Sequence, residues 1–240
     1  MGGEGAVRFA VGLPNVGLFG QPDLLVSLAA EAERYGWDGV FLWDHLLYRE
    51  PNWPVADPTV TIAAIAASTS RLRLGVLMTA AARRRVGKLA REVAALDVLS
   101  RGRLVFGVGL GSIEREFSAF GEASDAATRA ERLDETLSVL DGLWSGREVT
   151  FHGRHLHVDA VRMLPVPVQR PRPPIWCAGR WPARAPFRRA ARWDGMMPTH
   201  ASFGRGTTMP PETLAEIVAY VHTQRLDRDE AGRPFDVAVE

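Results

Sequence analysis

Two groups of residues in the sequence combine types and spacings that can do chemistry. Asp44 and His45 are adjacent, pairing a carboxylate that can orient a neighbour with an imidazole that can carry a proton near neutral pH. Gly107, Gly109 and Gly111 alternate directly after an apolar run. Because glycine leaves the backbone without a side chain, a flat or phosphorylated ligand could approach there.

A third candidate is the pair Gly179 and Arg180, which precedes a basic segment at 182–192 that we predict to be a helix. Backbone N–H groups at a helix start, together with a guanidinium, suit a phosphate. The pattern therefore predicts a phosphate site here.

Each group also has a structural interpretation. The glycines could form a tight strand-to-helix connection, and His45 could serve only to anchor a loop against Asp44. A dinucleotide fingerprint is disfavoured because Ser112 stands where the third glycine is needed, and because Glu131 lies within a helical pattern. Three histidines alternate near residue 155 without a carboxylate cluster, so we expect no metal site.

The composition narrows the functional classes. The chain has 240 residues, of which 46% are apolar and 24% charged, and its net charge of +1 argues against nucleic-acid binding. Its one cysteine, Cys177, excludes an internal disulfide and is expected to be a small core residue. No apolar stretch is long enough to span a membrane. We expect a cytoplasmic protein, monomeric or homo-oligomeric, with no membrane or nucleic-acid partner.

Short apolar runs alternate along the chain with segments of helical periodicity. The longest predicted helix covers 127–144, and a change of period at 148–158 predicts a β-hairpin. The predicted strands cover 7–13, 39–43, 72–78, 104–108, 175–178, 194–198 and 235–239.

This alternation predicts a parallel sheet with right-handed crossovers. In a (β/α) barrel the ligand lies at the carboxyl ends of the strands, so polar residues at strand ends would share one mouth. An open, doubly wound sheet is the alternative. The residues expected at the mouth are Asn15, Asp44, His45, Thr79, Gly109, Arg180 and Thr199.

Four segments, in this order, resemble the luciferase-like class of flavin-dependent oxidoreductases, a superfamily that includes bacterial luciferase, alkanesulfonate monooxygenase and deazaflavin-dependent reductases. They are AERYGWDGVFLWDHL at 32–46, RLRLG at 71–75 with the arginines at 83–85, LDVLSRGRLVFGVGLG at 96–111 followed by EF and FG, and RAERLDE at 129–135 continuing to PPIW at 173–176. Together they span almost the whole chain.

The resemblance implies a TIM-type barrel, a single domain over 1–240 with an insertion at about 146–174. It implies an enzyme that acts on a small organic substrate, with a separate flavin reductase as a possible partner. Members that use FMN activate oxygen, whereas members that use the deazaflavin coenzyme F-420 transfer hydride. A non-catalytic, flavin-binding relative remains an alternative.

The resemblance also implies roles for individual residues. His45 lies near the flavin ring as the catalytic group, with Asp44 orienting it. A non-prolyl cis peptide at Leu77–Met78 backs the ring. The remaining expected cofactor contacts are Met78, Thr79, Gly107, Gly109, Gly179 and Arg180, although the family often has Gly and Ser where this sequence has Arg180 and Trp181.

Seven strands are predicted, whereas the family closes its barrel with eight. We therefore expect the last strand and helix to be lacking, either because the domain is incomplete or because a second chain covers the gap. The residues at 7–13 would then lie along an open edge.

Overall fold

The structure is a computed structural model that describes residues 7–49, 52–202, 209–227 and 232–239. Within these ranges seven parallel strands form one sheet in the order β1-β2-β3-β4-β7-β8-β9, and β5 pairs with β6 in an antiparallel hairpin. The strands are β1 Ala10–Leu13, β2 Gly39–Leu42, β3 Arg73–Ala80, β4 Leu104–Gly109, β5 Val149–His152, β6 His157–Val161, β7 Ile175–Trp181, β8 Gly195–His200 and β9 Asp236–Val237.

Helices follow the strands of the large sheet and carry sequence signals at their ends. Asp57 caps the helix Pro58–Ser68, since its Oδ1 accepts from the Val60 N–H at 2.8 Å, and Asp125 caps the helix Ala126–Trp144 in the same way. Gly36, with φ of 84°, follows the end of the helix Pro22–Arg34. The helices are α1 Pro22–Arg34, α2 Pro58–Ser68, α3 Val86–Leu99, α4 Arg115–Ser118, α5 Ala126–Trp144, α6 Arg184–Ala190 and α7 Pro211–Leu226, with short 3₁₀ turns at Gly17–Phe19 and Ala81–Arg83.

The two faces of the curled sheet pack against different groups of residues. Its outer face packs on the helices in the main core, for example where Phe106 meets Trp144 edge to face at 5.7 Å. Its inner face holds a smaller, separate cluster of Phe41, Val105 and Trp176. Since side chains alternate along a strand, this cluster fixes which residues of each strand face inward.

The sheet is open at both ends within the described residues, because the ladder stops at β1 on one side and β9 on the other. Val7 and Phe9 beside β1 are 79% and 65% exposed. The predicted barrel that lacks its last strand and stays open at its edges is therefore confirmed within the described residues. Arg73 of β3 reaches Asp236 of β9 at 3.3 Å, which links the first half of the sheet to its last strand.

Several predicted boundaries are wrong. β1 begins at Ala10 rather than at residue 7, and β9 covers two residues rather than five. In contrast, β7 continues to Trp181, three residues past the predicted end, because Trp181 packs against Phe187 and Tyr220 at ring distances of 5.3 and 5.6 Å.

The hairpin β5–β6 lies between α5 and β7, inside the segment expected to be an insertion. The Glu135 carboxylate of α5 fixes its turn by accepting the N–H groups of Arg154, His155 and Leu156 at 2.8 to 2.9 Å. These hydrogen bonds lower the Glu135 pKa more than its partial burial raises it. Among the helices in the described ranges, none is long and apolar enough to cross a membrane.

Candidate active site

The carboxyl ends of the parallel strands form one end of the sheet, which we call the mouth. Gly107 and Gly109 follow Val105 at intervals of two, and Ala178 follows Trp176, so all three face inward. A Cβ added at Gly109 would lie 3.3 Å from Met78 Cβ and 3.5 Å from Ala178 Cβ. At Gly107, however, an added Cβ would lie 2.3 Å from Leu77 Cδ2 and 2.5 Å from the Val76 carbonyl oxygen, so Leu77 covers that position. The part of the inner wall without large side chains, the bare patch, is therefore limited to Gly109 and Ala178, bordered by Met78.

The position of Met78 depends on an irregularity in β3. The peptide bond between Leu77 and Met78 is cis, as the family resemblance predicted. The register with β4 shifts between Val76 and Thr79. Met78 thus approaches Gly107 and Gly109, where Cβ atoms would come within 3.3 Å of its side chain.

Asp44, the residue after Trp43 at the end of β2, is buried and fully engaged. Its Oδ2 accepts from the Ala80 N–H at 2.9 Å, and its Oδ1 pairs with Arg83 and Arg84 at 2.9 and 2.7 Å. Ala80 is in register with Gly109. The carboxylate therefore ties the end of β2 to the strand that adjoins the bare patch.

His45 does not pair with Asp44, contrary to the structural interpretation considered from sequence. Its Nδ1 lies 3.2 Å from Oε1 of Glu116, whose side chain is 1% exposed. The Glu116 carboxylate also accepts the N–H groups of Leu46 and Leu47 at 2.5 and 3.2 Å. Glu116 thus fixes both the imidazole and the backbone that follows it.

The Glu116 pKa results from opposing effects. Burial raises the pKa of the carboxyl group. Hydrogen bonds from His45 and from the Leu46 and Leu47 N–H groups, together with the Arg83 charge, lower this pKa by more than burial raises it. The net pKa lies below the ordinary carboxyl value. Glu116 is therefore ionised near neutral pH and attracts a proton to the Nδ1 position of His45.

Asn15 holds the backbone of His45 from the other side. Its buried carboxamide donates to the carbonyls of His45 and Ala56 at 3.1 and 2.8 Å and accepts from the His45 N–H at 3.3 Å. Sequence reasoning placed Asn15 at the mouth without a role. It connects both ends of the loop that follows His45 to the end of β1.

Arg180 and Gly179 lie inside β7 rather than before a helix. By alternation Arg180 faces the same side as Trp176 and Ala178, and its exposed guanidinium donates to the Ala201 carbonyl at 3.2 Å. Gly179 faces outward, where an added Cβ would lie 2.8 Å from the Phe187 ring. The expected cradle of helix N–H groups is not formed, since α6 begins only at Arg184, and packing accounts for Gly179.

Thr79 also lies apart from the bare patch. It is buried and in register with Val108, which belongs to the main core on the helix side of the sheet. It lines a cavity of about 30 Å³ with Thr59 and Ile62 of α2. The structure thus separates Thr79 from the other predicted cofactor contacts.

That a flavin binds at the mouth, where the strand-end residues were expected to meet, stays a prediction. The 30 Å³ cavity behind β3 and a surface groove of about 270 Å³ beside β5 both lie elsewhere. Within the described ranges no three His, Cys, Asp or Glu side chains are placed to hold a metal ion.

Comparison with known proteins places these features in a family. The sequence profile of the luciferase-like monooxygenases matches residues 11–239. The chain belongs to this family. The oxygenase component of flavin-dependent trigonelline monooxygenase from Acinetobacter baylyi is 31% identical over 161 residues, covering 67% of this chain and 44% of that protein.

Further relatives differ in cofactor. F420-dependent glucose-6-phosphate dehydrogenase from Gordonia bronchialis is 30% identical over 201 residues, covering 82% of this chain and 58% of the relative. A monooxygenase of Streptomyces bottropensis superposes with a TM-score of 0.81 at 27% identity, covering 97% of this chain and 70% of that one. The chain spans about half the length of the curated relatives it matches.

Two functional residues were missed as such from the sequence. Glu116 was noted only as part of the EF pair in the resembling segments, and Arg83 only within a run of three arginines. Neither has a local signal in the sequence. Arg83 lies 39 positions from its partner Asp44, and Glu116 lies 71 positions from its partner His45.

Proposed function

We propose that this protein is a flavin-dependent monooxygenase that uses reduced FMN and oxygen on a small organic substrate. The observation that carries the proposal is the part of the inner wall without large side chains at Gly109 and Ala178. A flat ring system can lie against such a wall, and a side chain at Gly109 would crowd Met78 and Ala178, since its Cβ would lie 3.3 and 3.5 Å from theirs. The Asp44 carboxylate binds the Ala80 N–H of β3, which is in register with Gly109.

The residues present fit a flavin in three ways. Gly109 has no side chain that would block the ring, and Met78 supports it with an apolar, polarisable surface. Arg180 faces inward at the mouth and can bind a phosphate by charge-assisted hydrogen bonds. When bound, the flavin supplies the electrons and the reaction with oxygen that side chains cannot supply.

His45 would be the catalytic residue. Because Glu116 accepts a hydrogen bond from Nδ1, Nε2 is the nitrogen left to exchange a proton with the substrate. Asp44 contacts Arg83, Arg84 and the Ala80 N–H rather than the imidazole, so we assign it a positioning role.

The second candidate is hydride transfer with the deazaflavin coenzyme F-420. It is favoured by the F420-dependent glucose-6-phosphate dehydrogenases, which are 30–32% identical to this chain over its larger part. The same bare wall would accept either tricyclic ring. The two cofactors differ in their need for oxygen, which an experiment can measure directly.

A separate flavin reductase is the expected partner of the FMN reaction. The Acinetobacter relative is named as the oxygenase component of its monooxygenase. A structural neighbour with a TM-score of 0.77 is titled the oxygenating constituent of a ketone monooxygenase in complex with FMN, although at 17% identity it supports the fold alone. The name of the Acinetobacter relative implies that, in that system, a different protein supplies the reduced flavin.

The test is a binding and turnover screen of the purified protein. Oxidised and reduced FMN and F-420 are titrated into it, and reduced FMN is then mixed with oxygen in the presence of candidate substrates. We expect the protein to bind reduced FMN more tightly than F-420 and to form product only when oxygen is present. Preferential binding of F-420 and product formed without oxygen would establish the second candidate, and binding of neither would support a non-catalytic relative.

A further inference from the structure

The loop that follows His45 is fixed at both ends and carries aromatic side chains. We call its described residues, 46–49 and 52–56, the mouth loop. Asn15 holds the carbonyls of His45 and Ala56, and the Gly17 N–H donates to the Pro54 carbonyl at 2.9 Å. The Trp53 N–H donates to the Tyr48 carbonyl at 3.0 Å. These hydrogen bonds therefore hold the described residues of the mouth loop in place beside His45.

Three rings of this region form a continuous series that starts at His45. The Tyr48 ring lies 4.8 Å from the His45 ring, and the Trp53 ring lies 5.9 Å from the Tyr48 ring. Trp53 is 45% exposed and contacts the backbone at Gly17, where an added Cβ would lie 2.7 Å from the indole. Apolar ring surface thus extends outward from the imidazole.

Arg49 lies over two of these rings. Its guanidinium carbon is 5.5 Å from the Tyr48 centroid and 5.3 Å from the Trp53 centroid. Stacking on aromatic faces orients the planar guanidinium and leaves the N–H groups at its edge free to donate. Among the described residues, no carboxylate or carbonyl accepts a hydrogen bond from Arg49.

The other charged groups near His45 already have partners. Arg83 pairs with Asp44 and Glu116, and Arg84 pairs with Asp44. These two buried carboxylates and two guanidiniums balance in charge. Arg49 therefore adds an uncompensated positive charge among the described groups that border the ring series.

We infer that Arg49 binds the carboxylate of a flat organic substrate whose ring contacts Tyr48 and Trp53. The inference rests on the proposed function, since it places the substrate beside His45. A planar carboxylate matches the donor fork of a guanidinium with two parallel hydrogen bonds. Its ring would gain from the aromatic surface that leads to the imidazole.

The test compares benzoate with benzamide, which has the same ring without the charge. Binding to the protein, with and without saturating FMN, is measured by calorimetry for the wild type, Arg49→Gln and the control Arg188→Gln. Arg188 is an exposed arginine on α6. We expect benzoate to bind the wild type more tightly than benzamide, and Arg49→Gln to weaken benzoate binding by about tenfold or more without affecting benzamide.

The inference is overturned by equal affinity of the wild type for benzoate and benzamide, by unchanged benzoate affinity in Arg49→Gln, or by an equal loss in Arg188→Gln. A loss of FMN affinity in Arg49→Gln, with benzoate binding intact, would instead assign Arg49 to the cofactor and also overturn it. Absence of FMN binding to the wild type refutes the proposed function, whereas benzoate binding without FMN still decides the role of Arg49.

Discussion

Replacing Glu116 by Gln is the perturbation that tests the architecture around His45. The carboxylate has donors on both oxygens: His45, Leu46 and Leu47 on Oε1, and Arg83 on Oε2. Glutamine keeps one acceptor oxygen. Its NH₂ group must then face either the Arg83 guanidinium or the three other donors, and in both cases donor opposes donor.

The size of the expected loss in stability follows from the burial of the Glu116 and Arg83 side chains. The side chains of Glu116 and Arg83 are 1% and 3% exposed, so solvent cannot compensate for the lost pairing. Breaking a buried ion pair by removing one partner costs about 3–5 kcal/mol. Arg83 retains Asp44 at 2.9 Å, which places the expected loss at the lower end, about 3 kcal/mol in the free energy of unfolding.

The pH dependence of this loss has a definite sign. Folding lowers the Glu116 pKa, so the stabilisation is complete above the unfolded carboxyl pKa of about 4.3 and is lost as pH falls through the folded value. Glutamine does not titrate. The difference in unfolding free energy between wild type and Glu116→Gln should therefore narrow below about pH 4.

Urea unfolding at pH 7 and at a series of lower pH values measures both quantities. Glu114→Gln is the matched control, because Glu114 is exposed and its carboxylate accepts from the Ser124 hydroxyl at 3.3 Å. Its effect should stay within about 0.5 kcal/mol. A Glu116→Gln protein as stable as this control, or a difference that widens in acid, would refute the reasoning.

Three further predictions follow from the site. Gly179→Ala should lower the unfolding free energy by about 1–3 kcal/mol through contact with Phe187, and leave FMN affinity unchanged in the folded protein; a weakened affinity in a titration below the melting point would contradict the packing explanation. His45→Ala should reduce turnover more than FMN affinity, and Arg180→Ala should reduce affinity by about tenfold or more; equal affinity losses in both titrations would contradict this division of roles. Cys177, whose pKa burial raises to about 12, should not react with a thiol reagent at pH 8 until the protein unfolds, and rapid labelling of the native protein would show that the core around it opens.

Periodicity predicted the strands because these depend on local pattern, whereas the open edge was predicted by comparing the seven strands with the eight of the family that the sequence resembles. The strand at β4 was expected at 104–108 and covers Leu104–Gly109, since a short apolar run bounded by glycine has few alternatives in a buried sheet. The ends of β1, β7 and β9 could not be predicted in this way. They depend on partners far away in sequence, such as the packing of Trp181 against Tyr220.

The candidate site was predictable in part for the same reason. Gly107 and Gly109 share a face because they alternate along one strand, and the family resemblance supplied the cis peptide before Met78. The contact between His45 and Glu116 could not be predicted from the sequence, because it joins the residues that follow β2 to the residues that follow β4. Likewise, only the structure shows that Gly179 faces Phe187.

The central claim is that a cofactor ring lies on the bare wall at Gly109. Equilibrium titration of reduced FMN and reduced F-420 into the wild type, Gly109→Leu and Gly87→Leu tests it most directly. Gly87 lies on α3 with open space around it, so leucine there controls for the added side chain. The account predicts saturable binding of one cofactor to the wild type and to Gly87→Leu, with affinity reduced at least about tenfold in Gly109→Leu, a change of roughly 1.4 kcal/mol. Full affinity in Gly109→Leu, or no binding of either cofactor to the wild type, would contradict it.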